Sequence, residues 1–152
     1  IYIESSTGFA EYFTLKGLEF GNYTSVEFLI GLDSVHNITD ALPNTIVNLN
    51  MAWPNMMGGG YHFMKFEGNF LSAGTSYGFA MHLGKNPNLA PINLSRNFNI
   101  ASKTDTVRLN MNLNEWFKNP AIYDFNIDGN YSMGSDVAML KLASNGTDVF
   151  NE

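Results

Sequence analysis

His62 in "YHFMKFEG" and His82 in "FAMHLG" are the side chains of this 152-residue chain whose type and spacing best suit metal binding. The chain has no cysteine, which excludes disulfides, thiolate metal sites and cysteine nucleophiles together. The soft donors left are three histidines and eight methionines. His62 and His82 sit on consecutive strand-like segments, equidistant from Ser72. A hairpin of that register puts them directly across from each other, with Cβ atoms about 5 Å apart on one face, a spacing that suits two imidazoles sharing one ion. The connection reads as a long loop, so turn chemistry leaves the register open, and a slip of one residue sends one histidine to the opposite face. The alternative is that both are hydrogen-bonded core or rim residues.

Gly78 and Ala80 leave room beside His82, and Met56, Met57 and Met64 bring thioethers into the neighbourhood. Imidazole and thioether together suit copper better than magnesium or calcium. Each methionine also reads as an ordinary gap-filler of an apolar core. The third histidine, His36 in "DSVHN", follows a strand end. It reads as a weak further ligand or as a turn residue beside Asp33. A separate oxygen-rich stretch, "DFNIDGNYSMGS", places Asp124, Asn126, Asp128 and Gly129 at the first, third, fifth and sixth positions of a calcium loop. Ser135 stands where that loop needs a bidentate glutamate, so a compact turn with solvated carboxylates is the competing reading. Phosphate-loop, zinc-protease and serine-hydrolase motifs are missing, and no enzyme is expected.

These residues must be positioned by strands. Period-two alternation runs through "YTSVEFLIGLD", "YHFMKFEGNF", "SYGFAMHLG" and "TVRLNMNL", separated by turn-rich "GNY", "DALPN", "NFLSAGTS" and "GKNPNLAP". Two short helices are expected. One is near Glu115, with Asn114 as N-cap and an end before Pro120; the other is near Val137, capped by Ser135 and stopping at Asn145 and Gly146. Many short strands and short helices pack most naturally as an all-β antiparallel sandwich. Residues 1–152 are expected to form a single such domain.

Eight Lys and Arg against fourteen Asp and Glu leave a net charge of -6, and no basic face to neutralise nucleic acid or anionic membranes. No apolar run of about 18 residues is present, so no membrane span is expected. Abundant asparagine, fourteen glycines and twelve phenylalanines read as a β-protein of an extracytoplasmic compartment.

The blocks "GNYTSVEFLIGLDSVHN", "MAWPNMMGGGYHFMKFEGNF", "FAMHLG", "NEWFKNPAIYDF" and "NGTDVF", in order from Gly21 to Phe150, resemble the MbnP-like family. These are extracytoplasmic copper-binding proteins related to methanotroph surface copper proteins, with many members in Bacteroidetes. The resemblance implies a β-sandwich and copper held by two histidines and a tryptophan oxidised to kynurenine. His62, His82 and Trp53 stand at the matching positions. Where many members carry W-x-W-x-x-G-Y, this chain has in that stretch one tryptophan, Trp53, followed by proline and a longer glycine run. The family also usually carries further strands upstream, and the abrupt apolar start "IYIE" leads to the expectation that N-terminal strands are missing here. Two functions from different classes follow. One is a copper-binding or copper-trafficking protein of the periplasm or outer-membrane surface, lipid-anchored in some settings, working with a metal ion and another envelope protein. The other is a surface lipoprotein or interaction subunit of an outer-membrane assembly that keeps the fold without metal.

Overall fold

β-Branched and aromatic residues alternating with polar ones make Gly21–Ile30 a half-buried strand, β1, with Phe28 and Ile30 turned to the core and Leu29 exposed. The computed structural model of the chain describes residue 3 and residues 12–151; apart from Ile3, the opening "IYIE" lies outside them. Next come a five-residue helix, α1 (Ile46–Asn50), then β2 (His62–Ser72), β3 (Thr75–Gly84), β4 (Ala90–Ile100) and β5 (Asn110–Met111). A second helix, α2 (Asp136–Gly146), and β6 (Phe150–Asn151) follow. The strands pair antiparallel as β1 with β4, β2 with β3, and β5 with β6. Phe28, Ile30, Ile92 and Leu94 from the first pair meet Met64, Phe66, Met81 and Leu83 from the second in one core. The architecture is thus the expected all-β, antiparallel, sandwich-like one, closed by α2 through Met139 and Leu142.

Several elements differ from the sequence reading. β4 was not among the expected strands: "GKNPNLAP" gives way at Ala90 to a strand whose Ile92 and Leu94 alternate with exposed neighbours. The pairing partner of β4 is β1, distant in sequence, and no local turn announces such a pair. "TVRLNMNL" pairs at only two residues, because its partner β6 offers only two. The helix near Glu115 is a 3₁₀ turn, Leu113–Phe117, whose N-cap is Asn112 instead of Asn114. Asn112 accepts from the Asn114 amide at 3.2 Å and donates to Glu115 at 2.9 Å. α2 starts as expected, with Ser135 accepting from the Ala138 amide. It runs through Gly146, where a Cβ would come within 2.7 Å of the Trp116 ring; close packing, not a left-handed cap, requires glycine there. α1 was not anticipated; Thr45 caps it by accepting from Asn48.

Candidate metal centre

The β2–β3 connection is not long. Both strands continue to a two-residue turn, Ala73 and Gly74, with φ of 48° and 81°, the paired left-handed geometry of a tight hairpin. That turn sets Ser72 opposite Thr75 and Lys65 opposite His82, so His62 and His82 are not directly paired. Unbroken, this register would also point His62 away from His82. An irregularity between His62 and Met64 inserts one residue into β2, and His62 comes to lie opposite Gly84. The insertion reverses side-chain parity, and His62 becomes the diagonal neighbour of His82 on the same face. Their rings meet edge to face, centroids 5.1 Å apart.

Trp53 completes the cluster. The Met51–Trp53 segment runs back along Gly60–His62: the Trp53 amide donates to the Gly60 carbonyl at 2.9 Å and the His62 amide to the Met51 carbonyl. Between them the glycine run turns the chain, with Gly58, Gly59 and Gly60 all at positive φ. Hydrogen bonds tie this loop down, from the Gly60 amide to Thr39 and from the Tyr61 amide to Asn37, each at 2.8 Å. The indole, almost wholly buried, lies over Gly84 with its centroid 4.7 Å from that of His62, and its N–H donates to the Met57 carbonyl at 3.2 Å.

Each imidazole is held by one nitrogen. His62 Nδ1 lies 3.2 Å from the Met51 carbonyl, and His82 Nε2 lies 2.6 Å from the Glu67 carboxylate. The other two, His62 Nε2 and His82 Nδ1, are buried and have no hydrogen-bond partner among the described residues. Buried polar atoms are nearly always paired, and two orphans on touching rings depart from that rule. Burial holds the His62 pKa below the ordinary 6.5, with His82 and Lys65 adding to that and the Met51 carbonyl opposing it. The ring is therefore neutral at pH 7, the form that binds a metal.

Ser132, fully buried, pins the backbone beneath His82. Its hydroxyl accepts from the His82 amide and donates to the His82 carbonyl, both at 2.7 Å. Glu67, Gly84 and Ser132 escaped the sequence reading. Glu67 has the right strand parity once the register is known, whereas nothing in the sequence links Ser132 to His82.

The remaining candidates lie elsewhere. Met64 stands opposite Leu83 and packs into the core, on the other face of the hairpin from His82. Met51 and Met57 serve the site through their carbonyls, and Met56 is exposed. His36 is an exposed turn residue whose Nδ1 pairs with Asp33 at 2.7 Å. Asp124, Asn126 and Asp128 close a compact turn: Asp124 accepts from the Asn126 amide, and Asp128 accepts from the Asp124 amide and from Lys141 at 2.7 Å. The Asp128 carboxylate is thus ion-paired, where a solvated one was expected. Among the described residues no three His, Asp or Glu converge.

No helix among the described residues is long and apolar enough to cross a membrane. No curated protein and no solved structure matches the chain. The MbnP family model matches residues 3–137, a span that carries Trp53, Glu67, His62 and His82. The chain belongs to the MbnP family.

Proposed function

We propose that this protein binds copper in the cell envelope, as cargo to be held or handed on, with His62 and His82 as ligands. The observation that supports this most is the pair of buried, unpartnered nitrogens, His62 Nε2 and His82 Nδ1, on rings in contact. The donor chemistry narrows the ion. Calcium and magnesium need a cage of oxygens, and a structural zinc site wants four ligands. Two imidazole nitrogens with no carboxylate among the proposed ligands suit Cu(I). Bound there, copper would be a soft, exchangeable cation shielded from bulk water. The chain's own residues supply the shielding: Trp53 covers His62, the Met51 carbonyl orients it, and Ser132 holds the backbone of His82. Trp53 takes the place of the family's modified tryptophan by position. The reading is one of binding, not catalysis, with an extracytoplasmic location supported by family and composition.

Tag-free protein loaded with Cu(I) and analysed for metal content tests this. Stoichiometric copper in the wild type, and loss of most of it in both His62→Ala and His82→Ala with the strand-rich circular dichroism unchanged, is the expected result. Copper retained in both variants, or none taken up by the wild type, overturns it. The interaction-subunit reading would then stand in its place. It is favoured by the exposed apolar side chains Val35, Ile38, Ile46, Leu49 and Met56, which lie on either side of Trp53 in the chain.

A further inference from the structure

His62 and His82 are oriented by different kinds of group. His62 Nδ1 faces the Met51 carbonyl, a backbone acceptor that no substitution removes, and its Nε2 is the free nitrogen. His82 is turned the other way: Nε2 faces the Glu67 carboxylate at 2.6 Å, and Nδ1 is the free nitrogen, buried beside His62. Glu67 pairs with Ala80, so it reaches His82 along the diagonal of the same hairpin face. The contact depends on one side chain, itself 58% exposed.

We propose that Glu67 is the positioning residue of the centre, fixing His82 so that Nδ1, not Nε2, is offered to the metal. The site then has mixed attachment, Nε2 from His62 and Nδ1 from His82. The inference rests on the copper reading above. A carboxylate only accepts, so the nitrogen facing Glu67 must carry the proton, and in a neutral ring the lone pair falls on Nδ1. Without Glu67, Nε2 has no acceptor, and the ring can turn about its Cβ–Cγ bond or exchange tautomer. Acceptors behind a ligating histidine typically contribute about 10–100-fold to metal affinity.

Two measurements on the full chain test the proposal: the nitrogen-15 spectrum of the metal-free protein at neutral pH, and Cu(I) affinity by competition with a colorimetric chelator. The wild type should show His82 as the Nε2–H tautomer. Glu67→Ala should show mixed tautomers and bind Cu(I) about 10–100-fold more weakly. Glu67→Gln, whose amide oxygen can still accept, should recover much of the affinity. Because Glu67 is exposed, both variants should keep the fold, which circular dichroism checks. An Nδ1–H tautomer in the wild type overturns the proposal, as does Glu67→Ala binding Cu(I) like the wild type. Equal losses in Glu67→Ala and Glu67→Gln also overturn it, because an acceptor at that position would then not restore the site. A wild type with the Nε2–H tautomer that takes up no Cu(I) overturns the copper reading while leaving Glu67's hold on the ring standing.

Discussion

The ring of Trp53 occupies the space a side chain at Gly84 would need: a Cβ built on Gly84 falls 2.7 Å from the indole Cζ3. Gly84 is also the cross-strand partner of His62, so one missing side chain seats the indole beside the histidine. Gly84→Ala should force the indole out of its slot and destabilise the protein by about 1–3 kcal/mol, the usual cost of overpacking. Denaturant melts read the loss, and a red-shifted tryptophan emission reports Trp53, since Trp116 stays buried elsewhere. Unchanged emission together with unchanged stability would contradict this packing.

The metal-free protein should weaken in mild acid because of His62. Burial lowers its folded pKa below the unfolded value near 6.5. Between those two values the unfolded chain holds the extra proton, so stability present above about pH 6.5 is lost as pH falls through the folded pKa. His62→Gln should show a flatter stability profile across that window. A wild-type profile just as flat would show that His62 titrates normally.

Met64 lies on the core face opposite Leu83, away from His82. Met64→Leu keeps the volume and removes the thioether, so Cu(I) affinity should change less than about twofold and stability by less than about 1.5 kcal/mol. A tenfold loss of Cu(I) affinity on competition titration would restore the thioether as a ligand.

Lys141 pairs with Asp128 at 2.7 Å, and this contact is the first cause of the lowered Asp128 pKa. Lys141→Met should leave that carboxylate without its cation and lower the melting temperature by a few degrees, with a larger loss at pH 7 than at pH 3, where the unfolded chain's aspartate gains protons. Calcium should not raise the wild-type melting temperature relative to chelator-treated protein. A calcium-dependent rise abolished by Asp128→Ala would show that the ion displaces Lys141.

Much of the fold could be read from local pattern. β1, β2, β3 and the start of α2 each carry their own signal, in alternating apolar positions or in Ser135 ahead of an apolar run. β4 carries a similar alternation, at Ile92 and Leu94, but its pairing with β1 joins segments separated by the whole β2–β3 hairpin. α1 and the 3₁₀ turn at Leu113–Phe117 are too short to leave a periodic trace, and their caps decide their bounds.

For the site, the sequence by itself determined the donor types: no thiolates, two histidines on adjacent strands, and a tryptophan ahead of them. It did not determine that these would meet. The Ala73–Gly74 turn moves the register off Ser72, and by itself would leave His62 and His82 on opposite faces. One inserted residue before Met64 restores the shared face, and such an insertion is settled by packing, because Phe63 and Tyr61 are buried and Gly84 must admit Trp53. The partners that orient the rings, Glu67 for His82 and the Met51 carbonyl for His62, follow from that same register. Residue type is a local property, whereas the direction in which an imidazole nitrogen points is set by side-chain parity and hydrogen bonds that exist only once the strands have paired.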